Sequence, residues 1–212
     1  MIWIISAILG YLLGSIPSAV WFGKWWHNID VREYGSGNAG ATNVFRVLGK
    51  KTGFTVLIAD ILKGVLAASL PRFIPQILDI ELDGYEMLNM CILGGLAAVV
   101  GHLYPVFAGF KGGKGVATML GIMLALQTVP TLISAAVFLV VWFSFHYISL
   151  ASMCGGIVFP IAYIFLSANK TIPMTIVAFV LPLVLIYTHR SNIKKLMIGT
   201  ENKMNPFKKK AS

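Results

Sequence analysis

Val116-Ala117-Thr118-Met119-Leu120-Gly121-Ile122-Met123-Leu124-Ala125-Leu126-Gln127 is an apolar run of 12 residues. As a helix it reaches about 18 Å at about 1.5 Å per residue, short of the roughly 20 residues that a membrane span needs. Length alone therefore leaves open whether it crosses a bilayer. Charge on the flanking connections decides. Lys111 and Lys114 precede the run, and the C-terminal tail carries Arg190, Lys194, Lys195, Lys203 and Lys208–Lys210. Cationic connections stay in the cytoplasm under the positive-inside rule. With both ends of the intervening segment on that side, an even number of spans must separate them, and residues 116–127 must cross.

The remaining apolar runs are easier. Met1–Gly23, Gly53–Leu70, Glu86–Tyr104, Thr131–His146, Ala151–Ser167 and Pro173–Thr188 each read as a span, with Pro17 bending the first or opening it to its neighbours. Of the 212 residues, 57% are hydrophobic and only 12% charged. Soluble domains carry roughly 25% charged residues, so the composition specifies an integral membrane protein. The first cytoplasmic connection holds Lys24, Arg32, Arg46, Lys50 and Lys51, while the second connection holds Asp79, Glu81, Asp83 and Glu86 against Arg72. The expectation is an all-α integral membrane protein with seven transmembrane helices, N-terminus outside and C-terminus cytoplasmic. It forms a single domain over residues 1–212, of which 196–212 are a basic cytoplasmic tail. No basic n-region or small-residue cleavage site marks the first run as a removable signal. No internal repeat is visible, and Cys91 and Cys154 read as small buried hydrophobes without metal-ligand spacing.

The polar segments of interest fall on the cytoplasmic side. The first is Gly35-Ser36-Gly37-Asn38-Ala39-Gly40-Ala41-Thr42-Asn43 with Arg46; the second is Lys111-Gly112-Gly113-Lys114-Gly115. Glycine lets backbone N–H groups converge, and Ser, Thr, Asn, Lys and Arg add donors without carboxylates. Such loops suit an anion, and phosphate is the commonest. Arg46 can hold a phosphate through its fork. The Gly35-x-Gly37-x-x-Gly40 string is no dinucleotide fingerprint, because no strand precedes it. Nor is the second loop a nucleotide-triphosphate motif, since Gly115 follows Lys114 where Ser or Thr is required. It leads directly into residues 116–127, whose helix N-terminus favours an anion.

A third cluster opens the tail, where His189 and Asn192 lie three apart and share a helical face. Asp60 and Lys63 have the same spacing inside a span. Each would cost roughly 2.5–3.5 kcal/mol unpaired at mid-membrane, so they pair or face a polar cavity. Structural glue and substrate contact both remain open for them. His102 has three open roles: base, phosphate donor or interfacial residue. His27 and Asp30 read as a loop pair, and His146 as structural.

The three clusters, in order, resemble the bacterial membrane-embedded glycerol-3-phosphate acyltransferases that use acyl phosphate as donor. The resemblance runs from residues 35–46 through Gly101-His102, Pro105, Phe107 and 111–118 to His189-Arg190-x-Asn192 with Gly199-x-Glu201. It implies transfer of a fatty acyl group from acyl phosphate to the sn-1 hydroxyl of glycerol 3-phosphate. The products are lysophosphatidic acid and inorganic phosphate, at the first step of phospholipid synthesis. It implies catalytic roles for Ser36, Arg46, Lys114, His189 and Asn192. Substrate-binding roles go to Gly37, Asn38, Thr42, Asn43, His102, Lys111, Gly112, Gly113 and Gly115. Glu201 is expected to pair with a basic neighbour.

Partners are then acyl phosphate, glycerol 3-phosphate and membrane lipid, with no nucleic acid, no metal and no cofactor. The setting is the bacterial inner membrane, the site facing the cytoplasm. A His-x4-Asp pair is absent: the residues five beyond His27, His102, His146 and His189 are Arg32, Phe107, Ala151 and Lys194. A substrate phosphate oxygen is therefore expected to take the hydroxyl proton, with His189 as the alternative base. The competing classes are a transporter for organic phosphate and a lipid-binding scaffold. Neither accounts for glycine loops confined to one side.

Overall fold

A computed structural model describes residues 1–168 and 170–205, and all regular elements among these are helical. Lys208–Lys210, the basic end of the expected tail, lie outside the described residues. The chain divides into two compact units, Met1–Leu126 and Gln127–Ser212.

The first unit contains α1 (Ile2–Gly14), α2 (Ser18–His27), α3 (Ala41–Val47), α4 (Lys50–Ser69), α5 (Ile74–Ile77), α6 (Gly84–Leu103) and α7 (Val116–Leu126). Pro17 separates α1 from α2, because proline has no N–H to donate and its ring clashes with the preceding turn. Together they cover Ile2–His27 as one candidate span of 26 residues. α1 lies against α6 at backbone distance. A Cβ on Gly10 would strike the Gly94 carbonyl, one on Gly14 the Ala98 carbonyl, and one on Gly101 the Tyr11 carbonyl. Small residues of this kind let membrane helices gain dispersion contacts where burial from water supplies no drive. α4 and α7 meet likewise, Gly64 against Thr118 and Gly121 against Ile61.

α4 shows how the bilayer inverts the usual pattern. Phe54, Ile58, Leu62 and Leu66, at helical spacing, form an exposed apolar stripe, while Asp60, Lys63, Gly64 and Ala67 are buried. Polar side chains turn inward because hydrocarbon offers them no partner. The acidic connection before α6 has a second, local purpose. Asp83 accepts from the Glu86 N–H at 2.7 Å and Glu86 accepts from the Asp83 N–H at 3.3 Å, a reciprocal cap on the helix start.

The second unit contains α8 (Thr128–Phe145), α9 (Ile148–Leu166), α10 (Ile172–Thr188) and α11 (Arg190–Met197). α8 and α9 form a helical hairpin, with Gly155 close to the Ser134 carbonyl. α9 packs on α10 around the fully buried Tyr163. The segment after α11 folds back on the hairpin: the Met204 N–H donates to the His146 carbonyl at 2.7 Å, and Trp142 Nε1 donates to the Met204 carbonyl at 2.8 Å.

Among the described residues, five helical stretches are long and apolar enough to cross a membrane. A sixth span arises if α10 and α11, bent by 59°, are taken as one. α7, at 11 residues, stays below that length, so the expected seventh crossing rests on charge alone.

Candidate active site

The first glycine segment is organised from beneath by Asn43, only 1% exposed. Its Oδ1 accepts from the Ser36 N–H at 2.8 Å, and its Nδ2 donates to the carbonyls of Val31 at 2.9 Å and Tyr34 at 3.0 Å. Gly35 and Gly37 adopt φ of 63° and 71°, a left-handed conformation that favours glycine. A Cβ on Gly35 would in addition strike Asn43 Oδ1. The sequence placed Asn43 among the substrate donors. In the structure both hydrogens of its amide are engaged by backbone carbonyls. Asn43 is the scaffold on which Ser36 and Gly37 stand exposed. Thr42 and Arg46 share a face of α3, one turn apart. Asn38 folds back over Gly40.

The second segment closes the end of α6. The Gly112 and Gly113 N–H groups donate to the carbonyls of Leu103 and His102, both at 3.2 Å. These amides therefore satisfy helix-end carbonyls that otherwise lack partners. Their glycine identity reflects packing: a Cβ on Gly112 would strike the His102 carbonyl, and one on Gly113 the His102 ring. Lys114 and Gly115 lead directly into the first turn of α7, and Lys111 is exposed.

Arg32, which the sequence did not single out, ties the two segments together. Asp30 grips it through two parallel bonds, Nε to Oδ1 at 2.9 Å and Nη2 to Oδ2 at 2.7 Å. Arg32 Nη1 then donates to the Ala108 carbonyl at 2.7 Å and reaches the Lys111 carbonyl at 3.4 Å. The Arg32 guanidinium holds the Asp30 carboxyl below the usual carboxylate range, and Asp30 in turn raises Arg32. The expected His27–Asp30 pair is not formed: His27 Nε2 instead meets Thr52 Oγ1 at 2.8 Å.

Beneath both segments lies a buried polar group. Asp60 Oδ1 is 2.9 Å from Lys63 Nζ and 3.9 Å from His102 Nδ1, and Lys63 also donates to the Ile16 carbonyl at 2.8 Å. His102 Nδ1 pairs with Thr118 Oγ1 at 3.1 Å. Asp60 and Lys63 thus pair, and both line a pocket. Gly14, Ile16, Pro17, Ser18, Ala39, His102, Pro105, Gly112 and Gly113 complete its wall.

In the second unit His189 is buried, its Nδ1 2.8 Å from the Leu185 carbonyl. Asn192 Nδ2 donates to Glu201 Oε1 at 2.8 Å, and Ser149 Oγ donates to the same oxygen at 2.9 Å. Glu201 was expected beside a basic residue; among the described residues it forms no ion pair and is held by these two neutral donors. Ser149 sits in an apolar run and gave no signal in the sequence. Among the described residues no three His, Cys, Asp or Glu side chains converge as metal ligands.

The family model for glycerol-3-phosphate acyltransferase matches residues 4–199. A glycerol-3-phosphate acyltransferase of Bacillus cereus (strain G9842) is 48% identical over 202 residues, covering 95% of each chain. That of Enterococcus faecalis (strain ATCC 700802 / V583) is 41% identical over 209 residues, covering 95% of this chain and 92% of its own. The crystal structure of PlsY, an integral membrane glycerol 3-phosphate acyltransferase, in its glycerol 3-phosphate form superposes with a TM-score of 0.83. It is 38% identical and covers 96% of each chain. Its lysophosphatidic acid form gives a TM-score of 0.81 at 37% identity.

Proposed function

The chain belongs to the glycerol-3-phosphate acyltransferase family, and on that premise we propose that it moves a fatty acyl group from acyl phosphate to the sn-1 hydroxyl of glycerol 3-phosphate. One observation carries the reading: the two basic glycine segments of the first unit are a single surface. Arg32 joins them, and a Cβ on Gly113 would lie 3.1 Å from the Ala39 carbonyl. Both substrates bear phosphate, and two adjacent basic segments suit two such groups.

In this mechanism Ser36, Arg46 and Lys114 hold phosphate oxygens, with Gly37, Asn38, Thr42, Lys111 and Gly115 shaping the surface around them. Arg46 supplies a planar fork and Lys114 a point charge at the start of α7. His189 and Asn192 orient the glycerol part or the transferring carbonyl, Asn192 being fixed by Glu201. The sn-1 oxygen attacks the acyl carbon and the bond from that carbon to the phosphate oxygen breaks. The hydroxyl proton passes to a phosphate oxygen, so hydrogen phosphate leaves and lysophosphatidic acid remains. An acyl phosphate is an activated mixed anhydride, for which orientation and charge stabilisation suffice.

The same reading treats residues 1–212 as one acyltransferase domain of the bacterial inner membrane. It has seven crossings including α7, an external N-terminus, and catalytic groups facing the cytoplasm. The basic connections and tail support that orientation. Donor choice tests the chemistry. Purified protein in detergent should form lysophosphatidic acid from acyl phosphate and none from an acyl thioester of the same chain. Product from the thioester alone would overturn the proposed mechanism.

A further inference from the structure

The pocket between α2, α4, α6 and the two glycine segments contains polar atoms without use in the mechanism above. Ser18 is 3% exposed, and its Oγ has no hydrogen-bond partner among the described residues. Asp60 is 2% exposed. Lys63 Nζ lies 2.9 Å from its Oδ1, yet that oxygen accepts no aligned hydrogen bond among the described residues. A buried polar group without an aligned hydrogen bond requires an explanation, and a partner received in the pocket supplies one.

The walls define that partner. Asp60 opposes an anion and Lys63 opposes a cation, so the occupant is neutral. The cavity has room for about one water-sized group, so the occupant is small. One carboxylate acceptor, fixed by Lys63, and one serine hydroxyl match a single hydroxyl group. Ala39 belongs to the first glycine segment, and Gly112 and Gly113 to the second. The hydroxyl therefore sits beside the surface that holds phosphate.

We propose that Ser18 and Asp60 form a subsite for the middle hydroxyl of glycerol 3-phosphate, Asp60 accepting its hydrogen bond and Ser18 donating to its oxygen. This rests on the acyltransferase reading above. Lys63, 2.9 Å from Asp60 Oδ1, holds Asp60 in place. A site built to bond a hydroxyl rejects an analogue lacking it, because its own buried groups are then left unpaired.

The test compares glycerol 3-phosphate with 3-hydroxypropyl phosphate, the same acceptor without its middle hydroxyl. Both are assayed with acyl phosphate on the purified full chain, in the wild type and in Ser18→Ala. The wild type should favour glycerol 3-phosphate by about 10- to 100-fold in kcat/KM. Ser18→Ala should lower that ratio about tenfold by losing rate on glycerol 3-phosphate alone. A ratio taken on one preparation is unaffected by any misfolded fraction. If Ser18→Ala slows both acceptors equally, Ser18 is structural and the subsite is refuted. If it slows neither, the pocket receives only water and the subsite is refuted as well. No turnover of either acceptor by the wild type would instead remove the acyltransferase reading itself.

Discussion

Replacing Asn43 by alanine should loosen the first glycine segment before it affects anything else. The side chain makes three hydrogen bonds, to the Ser36 N–H and to the carbonyls of Val31 and Tyr34, and it is 1% exposed. Each bond contributes about 0.5–1.5 kcal/mol net, and its loss leaves buried backbone groups unpaired. The segment should therefore lose about 2–4 kcal/mol of local stability. At about 1.4 kcal/mol per factor of ten, local opening becomes at least about 30-fold more frequent. Amide hydrogen exchange across residues 31–44 should accelerate accordingly, with residues in α9 unchanged. Activity should fall with it, because Ser36 and Gly37 are no longer fixed. Asn43→Asp should be no better: it keeps the acceptor for Ser36 but sets a carboxylate against two carbonyls. Loss of activity with unchanged exchange over residues 31–44 would show that Asn43 touches substrate, and would refute its role as scaffold.

Further outcomes follow from single contacts. Arg46→Lys keeps the charge but removes the fork, so kcat/KM should drop sharply; an unaffected enzyme would refute bidentate binding. His189→Ala should lower the rate and leave the shape of the pH–rate profile intact, whereas loss of an ionisation near about 6.5 would make His189 the base. Asp30 titrates below its unfolded value of about 3.9, so its brace on Arg32 is complete above that pH and lost as pH falls through the lower, folded value. Thermal stability in detergent should decline on acidification through that window, and Asp30→Asn should flatten the decline. Gly121→Ala forces a methyl group onto the Ile61 carbonyl and should cost about 1–3 kcal/mol. Gly84→Ala, with nothing within 4 Å, should leave the melting temperature unchanged or slightly raised.

The helices were legible because apolar runs of span length are long-range signals written locally. Ile172–Thr188 starts one residue before the expected run and ends with it, whereas Lys50–Ser69 starts three residues early, where the polar Lys50, Lys51 and Thr52 extend the helix beyond its apolar part. The glycine segments were legible as a chemical type, but the direction in which each donor points was not. Asn43 and Ser36 look equally available in sequence, and only the fold turns one inward onto Val31 and Tyr34. Gly112 and Gly113 read as anion amides because their acceptors, the last carbonyls of α6, cannot be seen from the loop itself. Arg32 and Ser149 were missed for the same reason: their partners Ala108 and Glu201 lie 76 and 52 residues away. Asp60 and Lys63 were found because ionisable residues inside a span require an explanation wherever they stand.

The central claim is acyl transfer between two phosphate-bearing substrates, and product stoichiometry tests it most directly. Protein purified in detergent, given acyl phosphate and glycerol 3-phosphate, should release inorganic phosphate and lysophosphatidic acid in equal amounts, with no sealed membrane present. Phosphate release that does not depend on glycerol 3-phosphate, or turnover that appears only in sealed vesicles, would contradict the account.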